Sequence, residues 1–538
     1  MAVTGGKEAG KKKVLVSEPL SETGLAVLAK AGFPCDVKTG LSREELLGAI
    51  GGYDALVVRS ATQVDRELLA AGKKLKVVGR AGVGLDNVDL KSATELGILV
   101  VNAPSGNVVS AAEHTIALIL AMLRKVPEAQ VSLKAGEWKR TKFVGTELMG
   151  KTLGLVGLGQ VGARVAARLR PWNVRILAFD PYVSAEKAAE LGVILSTLEE
   201  VLETSDILSL HTPVTPETKG LIGEARLARM KKGVYIVNCA RGALIDDAAL
   251  VKALDEGRVA GAALDVFAVE PPKDFALMQH PKVVCTPHLG ASTFEAQDRV
   301  AVETVELLVE VLSGSPFVAA VNLPFPPGGD PHGALPWMKL AEGVGELAVQ
   351  LLPEAPARIE VSMAGIKPSL QKAVSVAAVK GALNRSLAEG VNLVNAASVA
   401  RQHGIAVKET IHADSVKFSS LLTVTVASAK GERSVSGTFF GEEAGRIVAI
   451  DGYPMEFTPD GSFLCLANRD VPGVIGRIGT FLGDRKINIG DLALSRTAGG
   501  RAMAVVKFDR PEGSDVQALC DGVAKLEGIE SARFVTLS

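Results

Sequence analysis

The feature that most constrains this chain is a rhythm. From residue 13 onward, short apolar runs (KVLVSE, DALVVRS, LKVVGRAG, GILVVNAP) alternate with helical patterns such as SETGLAVLAKAG and SREELLGAIGG. Continuous aliphatic runs of this length suit strands buried on both faces, which is how parallel strands covered by crossover helices read. The rhythm pauses over the polar, aperiodic KAGEWKRTKFVGTELMG, residues 134 to 150, then restarts with TLGLVGL, VRILAFD, DILSLHT, GVYIVNCA, AGAALDVF and KVVCTPH. Two doubly wound α/β domains in series account for this better than one very large sheet.

The alternation ends after FEAQDRVAVETVELLVEVLSG, a long amphipathic helix pattern. NLPFPPGGDPHGALP, residues 322 to 336, is too dense in Pro and Gly to continue a helix, so a linker is expected there. Residues 337 to 457 mix helical patterns with a hairpin candidate, LLTVTVASAKGERSVSGTFF, as an α+β unit does. The last stretch, 462 to 538, reads strand, helix, strand, strand, helix, strand, the ferredoxin-like βαββαβ plan.

Composition narrows the function classes. Lys+Arg 59 against Asp+Glu 60 leaves a net charge of -1, with no global pull toward nucleic acid or an acidic membrane. The longest apolar run, TIALILAMLR at 115 to 124, is about half a membrane span and fits a buried helix. MAVTGGKEAGKKK carries no apolar segment of the secretory kind. Five dispersed cysteines (Cys35, Cys239, Cys285, Cys465 and Cys520) indicate neither a disulfide framework nor a metal site. A reducing, cytoplasmic compartment fits, with an organelle matrix or stroma after removal of a targeting peptide as the alternative.

Two phosphate-binding patterns lie almost end to end. GTELMGKT, 145 to 152, matches the P-loop, but Lys151 and Thr152 lead into a strand pattern rather than a helix, so the context that motif needs is missing. GLGQVG, 157 to 162, follows that strand and opens the amphipathic QVGARVAARLRP. Gly157 permits the tight turn, Gly159 lets a pyrophosphate approach the backbone, and Gly162 allows close packing of helix on strand. Asp180 falls 18 residues after Gly162, where a carboxylate accepts hydrogen bonds from ribose hydroxyls. A carboxylate repels a 2′-phosphate and no Arg follows it, so NAD is favoured over NADP.

Downstream, NCARGALID carries Arg241, ALDVFAVEPP carries Asp265 and Glu270, and TPHLGAS carries His288, each just beyond an expected strand. Hydride transfer from a secondary alcohol needs a base for the hydroxyl proton, a role open to His288. Glu270 would fix its tautomer, and Arg241 can hold a carboxylate in bidentate fashion. A single Arg, Glu or His after a strand is more often a surface or structural residue; the joint arrangement on a dinucleotide fold is what points to chemistry.

RAGVGLDNVD, GLVGLGQVG, HTPVTPETKGLI, NCARGALIDDAAL, GAALDVFAVEPP and TPHLGASTFEAQ together resemble the D-isomer-specific 2-hydroxyacid dehydrogenases, over about residues 13 to 325. More closely, they resemble the branch that oxidises 3-phosphoglycerate at the entry to L-serine synthesis. The resemblance implies that Arg241, Glu270 and His288 are catalytic. It implies that Thr115, Gln160, Val161, Asp180, Thr212, Cys239, Ala240, Asp265 and Gly290 line the NAD site with the glycine loop, Arg241 and His288. It further implies two Rossmann-like domains, a substrate domain of 13–108 and 289–322 with the NAD domain, 109–288, inserted between them.

On that footing Arg59, Ser60, Arg80, Ala81 and Val83 are candidates for the substrate phosphate and carboxylate, beside Arg241 and His288. Arg140 or Lys142, in the loop this family uses for dimerisation, would reach a neighbour's site in a homodimer or homotetramer. ANRDVPGVIGRIGTFLGDRKINIGDL resembles an ACT module, which binds amino acids between subunits. Asn468, Asp470 and Asn488 are then the candidates for an L-serine effector. The segment 337 to 457 resembles the intervening domain of the longer members, where Lys367, Lys372, Lys380 and Arg385 offer an anion site or simply a solvated helix face. The rival readings are a glyoxylate or hydroxypyruvate reductase, and a non-catalytic NAD-sensing protein of the corepressor type. The long C-terminal extension and Arg59 argue against the first, and the ACT-like tail against the second.

Overall fold

The computed structural model describes residues 12–315, 319–323, 331–385, 387, 391–413, 417–441, 444–496, 499–509 and 515–537. Five strands, β1 (Val14–Val16), β2 (Cys35–Val37), β3 (Ala55–Val58), β4 (Val77–Arg80) and β5 (Leu99–Asn102), form an all-parallel sheet of order β2-β1-β3-β4-β5. Alternate residues face opposite ways, and both faces are apolar. Leu15, Leu56, Val58, Val78 and Val100 share one core, while Val14, Val16, Val57, Val77 and Val101 share another with Val305, Leu308 and Leu312 of the helix Phe294–Ser313. That late helix therefore packs on the first lobe. Gly79 makes its close approach possible, because a Cβ there would lie 2.9 Å from Thr304 Cγ2.

The second lobe holds β6 (Thr152–Val156), β7 (Arg175–Phe179), β8 (Ile194–Leu195), β9 (Ile207–Leu210), β10 (Val234–Asn238), β11 (Val259–Leu264) and β12 (Val283–Cys285). All run parallel, in the order β12-β11-β10-β9-β6-β7-β8. The strand order reverses at β6 here and at β1 in the first sheet, and those reversals open crevices at the carboxyl edges. Helix Val108–Leu123 crosses from the first lobe and buries Leu118, Ile119, Met122 and Leu123 against this sheet. Thr152 opens β6, so the P-loop match runs into a strand, as its sequence context indicated.

The third sheet comprises β13 (Arg358–Ala364), β14 (Ala406–His412), β15 (Leu421–Ser428), β16 (Gly431–Phe440), β17 (Ala444–Ile450) and β18 (Tyr453–Phe457), ordered β14-β13-β15-β16-β17-β18. The expected hairpin is β15–β16. One expectation fails: the linker does not reach 336, because a helix runs Pro331–Leu351 with Pro336 inside it. Proline is tolerated in a first turn, and burial of Met338, Leu340, Ala341, Val344, Leu347 and Ala348 outweighs the lost backbone bond at Pro336. Residues 324–330 of the expected linker lie outside the described residues.

The fourth sheet, β19 (Gly461–Arg469), β20 (Ile489–Arg496), β21 (Arg501–Phe508) and β22 (Ile529–Leu537), has the order β20-β21-β19-β22 with antiparallel neighbours, the ferredoxin-like arrangement. Helices Val474–Gly483 and Val516–Ala524 cover one face. Phe463, Cys465, Val505, Val535 and Leu537 on the other face join the core of the third sheet, so the last two units share one hydrophobic interior. The C-terminal half also touches the first lobe, where Asn392 Nδ2 donates to Gly97 O at 2.8 Å.

Candidate active site

The candidate residues of the two α/β lobes gather at strand ends. β6 runs into Gly157, whose φ of 100° is left-handed backbone, and a Cβ there would lie 2.5 Å from His211 O. At Gly162 a Cβ would lie 2.4 Å from Gly157 O, so the turn closes only with glycine at both positions. Gly159 has open space in front of it and serves as N-cap of helix Gln160–Leu169, with no side-chain cap hydrogen bond. Unclaimed N–H groups at a helix N-terminus, fronted by a cradle that side chains would fill, fit a dinucleotide pyrophosphate. Asp180, just past β7, accepts Leu158 N at 2.8 Å on one oxygen and Tyr182 N at 2.9 Å on the other, so it also orders the glycine turn.

Thr212 follows β9, Cys239 and Ala240 follow β10, and Asp265 follows β11. Burial pushes the Cys239 thiol up to about 12, leaving a neutral, apolar wall beside Thr115, whose hydroxyl is spent on Ala111 O. Asp265 is fully buried. It accepts Leu289 N at 2.7 Å, Gly290 N at 2.8 Å, Thr286 Oγ1 at 2.6 Å and His114 Nε2 at 3.2 Å. Burial alone would raise its pKa, and these four donors bring it below the ordinary carboxylate value. It therefore anchors the loop that carries His288.

His288 has φ 56°, a left-handed conformation uncommon for a side-chain-bearing residue, and its Nδ1 lies 2.6 Å from Glu270 Oε2. Glu270 is fixed in turn by Phe267 N at 2.9 Å. The hydrogen bond donated to Glu270 raises the His288 pKa above that of a free imidazole, with burial opposing, and the Glu270 carboxyl is lowered by the same bond against its own burial. Nδ1 bonded to a carboxylate carries the proton, which leaves Nε2 as the free acceptor.

Arg241 bridges the lobes: from the end of β10 its Nε reaches Asp86 Oδ2 at 3.1 Å in the first lobe. Its charge lowers the proton affinity of both His288 and Arg80, so the three groups share one field. Arg80 ends β4, and its Nε is buried without a hydrogen-bond partner. Arg59 and Ser60 follow β3 at the β1/β3 reversal, where Glu18 accepts the backbone N–H groups of Arg59, Ala61 and Thr62 at 2.9 to 3.1 Å. Ala81 is buried, and the Val83 carbonyl accepts Asn102 Nδ2 at 2.6 Å, fixing the loop between Arg80 and Gly84. Arg140 and Lys142 lie exposed in the turn Arg140–Phe143.

Elsewhere the structure decides against the anion site among the two open readings of the basic residues. Lys372, Lys380 and Arg385 pair individually with Glu409, Glu342 and Glu346 at 2.6 to 3.1 Å, so they do not converge on an anion site; Lys367 is exposed at a helix start. In the fourth sheet Asp470 pairs with Arg496 and Asn488 Nδ2 donates to Asp509, while Asn468 is buried with Oδ1 unpartnered. Sequence reading missed Glu18, Asp86, Asn102 and His114. Glu18 and Asp86 had a signal, since Glu18 closes the strand run KVLVSE and Asp86 lies three residues past Val83.

A dinucleotide cradle, an interlobe arginine and a histidine–carboxylate pair at one sheet edge define an NAD-dependent D-isomer-specific 2-hydroxyacid dehydrogenase. The family model for the NAD binding domain of those enzymes matches residues 116–290. That of the D-3-phosphoglycerate dehydrogenase intervening domain matches residues 334–451. The chain is 43% identical to the D-3-phosphoglycerate dehydrogenase of Archaeoglobus fulgidus, covering 98% of this chain and 100% of that one. It is 42% identical to that of Bacillus subtilis, covering 93% and 95%. The chain belongs to the D-3-phosphoglycerate dehydrogenase family. Among solved structures, TT0316 protein from Thermus thermophilus covers 57% of this chain and 99% of its own at 37% identity and TM-score 0.53. A glyoxylate reductase from Paecilomyes thermophila covers 58% and 98% at 30% identity and TM-score 0.53.

Proposed function

We propose that this protein oxidises 3-phospho-D-glycerate to 3-phosphohydroxypyruvate with NAD, the first committed step toward L-serine. The observation that carries the reading is the His288–Glu270 pair at 2.6 Å within the field of Arg241, beside an Arg80 whose Nε has no internal partner. His288 Nε2 takes the proton of the substrate's 2-hydroxyl while Glu270 stabilises the imidazolium that forms. The glycine loop and Asp180 would hold NAD, which would supply the acceptor for the hydride leaving C2. Arg241 holds the substrate carboxylate, and Arg59 and Arg80 of the other lobe hold the phosphate, a division that selects a three-carbon acid charged at both ends. The test is NAD reduction at alkaline pH with 3-phosphoglycerate and with 2-hydroxy acids lacking phosphate. Turnover confined to the phosphorylated acid is expected, and faster turnover of an unphosphorylated one would overturn the reading.

We extend the proposal to partners. The surface around Arg140 and Lys142 exposes Val131, Leu133, Trp138 and Val144, with Trp138 at 78%, which supports pairing of two copies there. Loss of both cations then weakens phosphorylated-substrate affinity in the dimer. Among the described residues no helix is long and apolar enough to cross a membrane, and the five thiols are free. The unpartnered Asn468 Oδ1 suits the ammonium of L-serine; serine titration of wild type and Asn468→Ala tests it, with inhibition lost in the variant.

A further inference from the structure

Helix Val108–Leu123 does more than carry the chain between lobes. Ser110 and His114, four residues apart, lie on one face of it, and both reach the loop 286–290. Ser110 Oγ donates to Gly290 O at 2.8 Å, two residues after His288. His114 Nε2 lies 3.0 Å from Thr286 Oγ1, two residues before it, and 3.2 Å from Asp265 Oδ1. The Thr286 hydroxyl is itself spent on Asp265 at 2.6 Å, so His114 Nε2 must carry the hydrogen and donate to both oxygens. The His288 backbone N–H closes the loop on Thr286 O at 3.0 Å. A residue at φ 56° persists only where its surroundings over-determine it, and here one helix turn grips both ends of its loop.

We propose that His114 is a positioning residue for His288: by bridging Thr286 and the buried Asp265 it locks the loop 286–290 so that the His288 ring stays on Glu270 and faces the cleft. Side-chain exposure of 20% for His114 against 1% for Asp265 shows that the bridge closes the outer side of a buried carboxylate. The helix begins where the chain crosses from the first lobe, and Gly290 lies where it crosses back. The Ser110–Gly290 bond therefore ties both crossings to the same loop, and His288 is set by the joint about which the lobes meet. The charged groups acting on the His288 ring are Glu270, Asp265 and Arg241, and His114 acts through Asp265.

The proposal rests on His288 being the base, so the test carries a control for that reading. In the full chain, His114→Leu, His114→Gln, Thr286→Val and His288→Asn are compared for kcat, both KM values and the pH dependence of kcat/KM. Loss of the bridge lets the ring leave Glu270, so His114→Leu and Thr286→Val should lower kcat about tenfold or more, the scale on which small misplacement of a reacting group acts. The ascending limb should move toward lower pH, because the contact that raises the proton affinity of His288 is weakened. His114→Gln keeps a donor at the reach of Nε2 and should recover most of kcat and the original limb. A kcat within about twofold of wild type and an unmoved limb in both His114→Leu and Thr286→Val, or effects confined to KM for NAD and thermal stability, would overturn the proposal. Thr286→Val keeps the side-chain shape and remains informative if His114→Leu does not fold. Turnover surviving in His288→Asn would sink the reading of the base itself, whereas a dead His288→Asn beside unaffected bridge variants would sink only the role of His114.

Discussion

Arg80→Met should make the ligand-free protein more stable and the enzyme worse. The Arg80 guanidinium folds back over Gly82 so closely that a Cβ there would lie 1.4 Å from Nη1, and its Nε is buried without a partner. The neighbouring carboxylates are already engaged, Asp86 by Arg241 and Glu18 by three backbone N–H groups. Burial first, and repulsion from Arg241 second, lower the proton affinity of Arg80, outweighing the attraction of Asp86 and Glu18. An unpaired buried donor costs about 1–3 kcal/mol, and because the rest of the guanidinium borders the cleft the lower half, about 1–2 kcal/mol, is the part recoverable by substitution. Methionine keeps the aliphatic stem and its packing. The melting temperature without ligand should therefore rise by a few degrees. Losing a buried charge pair to substrate costs about 2–5 kcal/mol, roughly a 30-fold to few-thousand-fold drop in kcat/KM for 3-phosphoglycerate. Thermal unfolding with and without substrate, beside steady-state kinetics, reads both signs. A variant that melts lower than wild type without ligand, or keeps its kcat/KM, would refute the assignment of Arg80 as an anion-binding cation held at the expense of stability.

Glu270→Gln should lower kcat by about 10²-fold and move the ascending limb of the oxidation profile toward lower pH, since oxidation needs neutral His288 and Glu270 is what raises its pKa. The same pair stabilises the fold only between the lowered pKa of Glu270 and the raised pKa of His288; its contribution fades as pH falls through the first or rises through the second, which melting curves across pH would show. Gly162→Ala places a Cβ 2.4 Å from Gly157 O, a backbone atom that cannot yield without opening the turn. Its affinity for NADH, followed by fluorescence, should fall about tenfold or more while the strands stay intact. Asp180→Ala removes the acceptor of Leu158 N as well as the ribose contact, so NAD affinity should drop and discrimination against NADP should shrink; an unchanged ratio of the two cofactors would count against it.

What the sequence made legible follows from which contacts are local. Parallel strands buried on both faces read as unbroken apolar runs, so KVLVSE and DALVVRS betray β1 and β3, and with them the ends where Glu18, Arg59 and Ser60 sit. Arg241 and His288 were legible for the same reason, each following a strand within a few residues. Strand order was not, and without the β1/β3 reversal nothing in the sequence sets Glu18 beside the Arg59 loop. Pro336 misled because a local rule about helix interiors met a helix whose apolar face is buried by distant strands. The pairing of Lys372, Lys380 and Arg385 escaped because each partner lies more than thirty residues away. His114 is the clearest case: within TIALILAMLR and its flank it reads as a polar interruption of a core helix, and its partner Thr286 is 172 residues distant. Chemistry carried by a motif survives in one dimension, because residue type and strand end suffice to place it. The residues that hold such a group in an unfavourable backbone conformation come from whichever element the fold lays behind it, so the positioning network around His288 emerges only when both lobe crossings are seen to meet at Gly290.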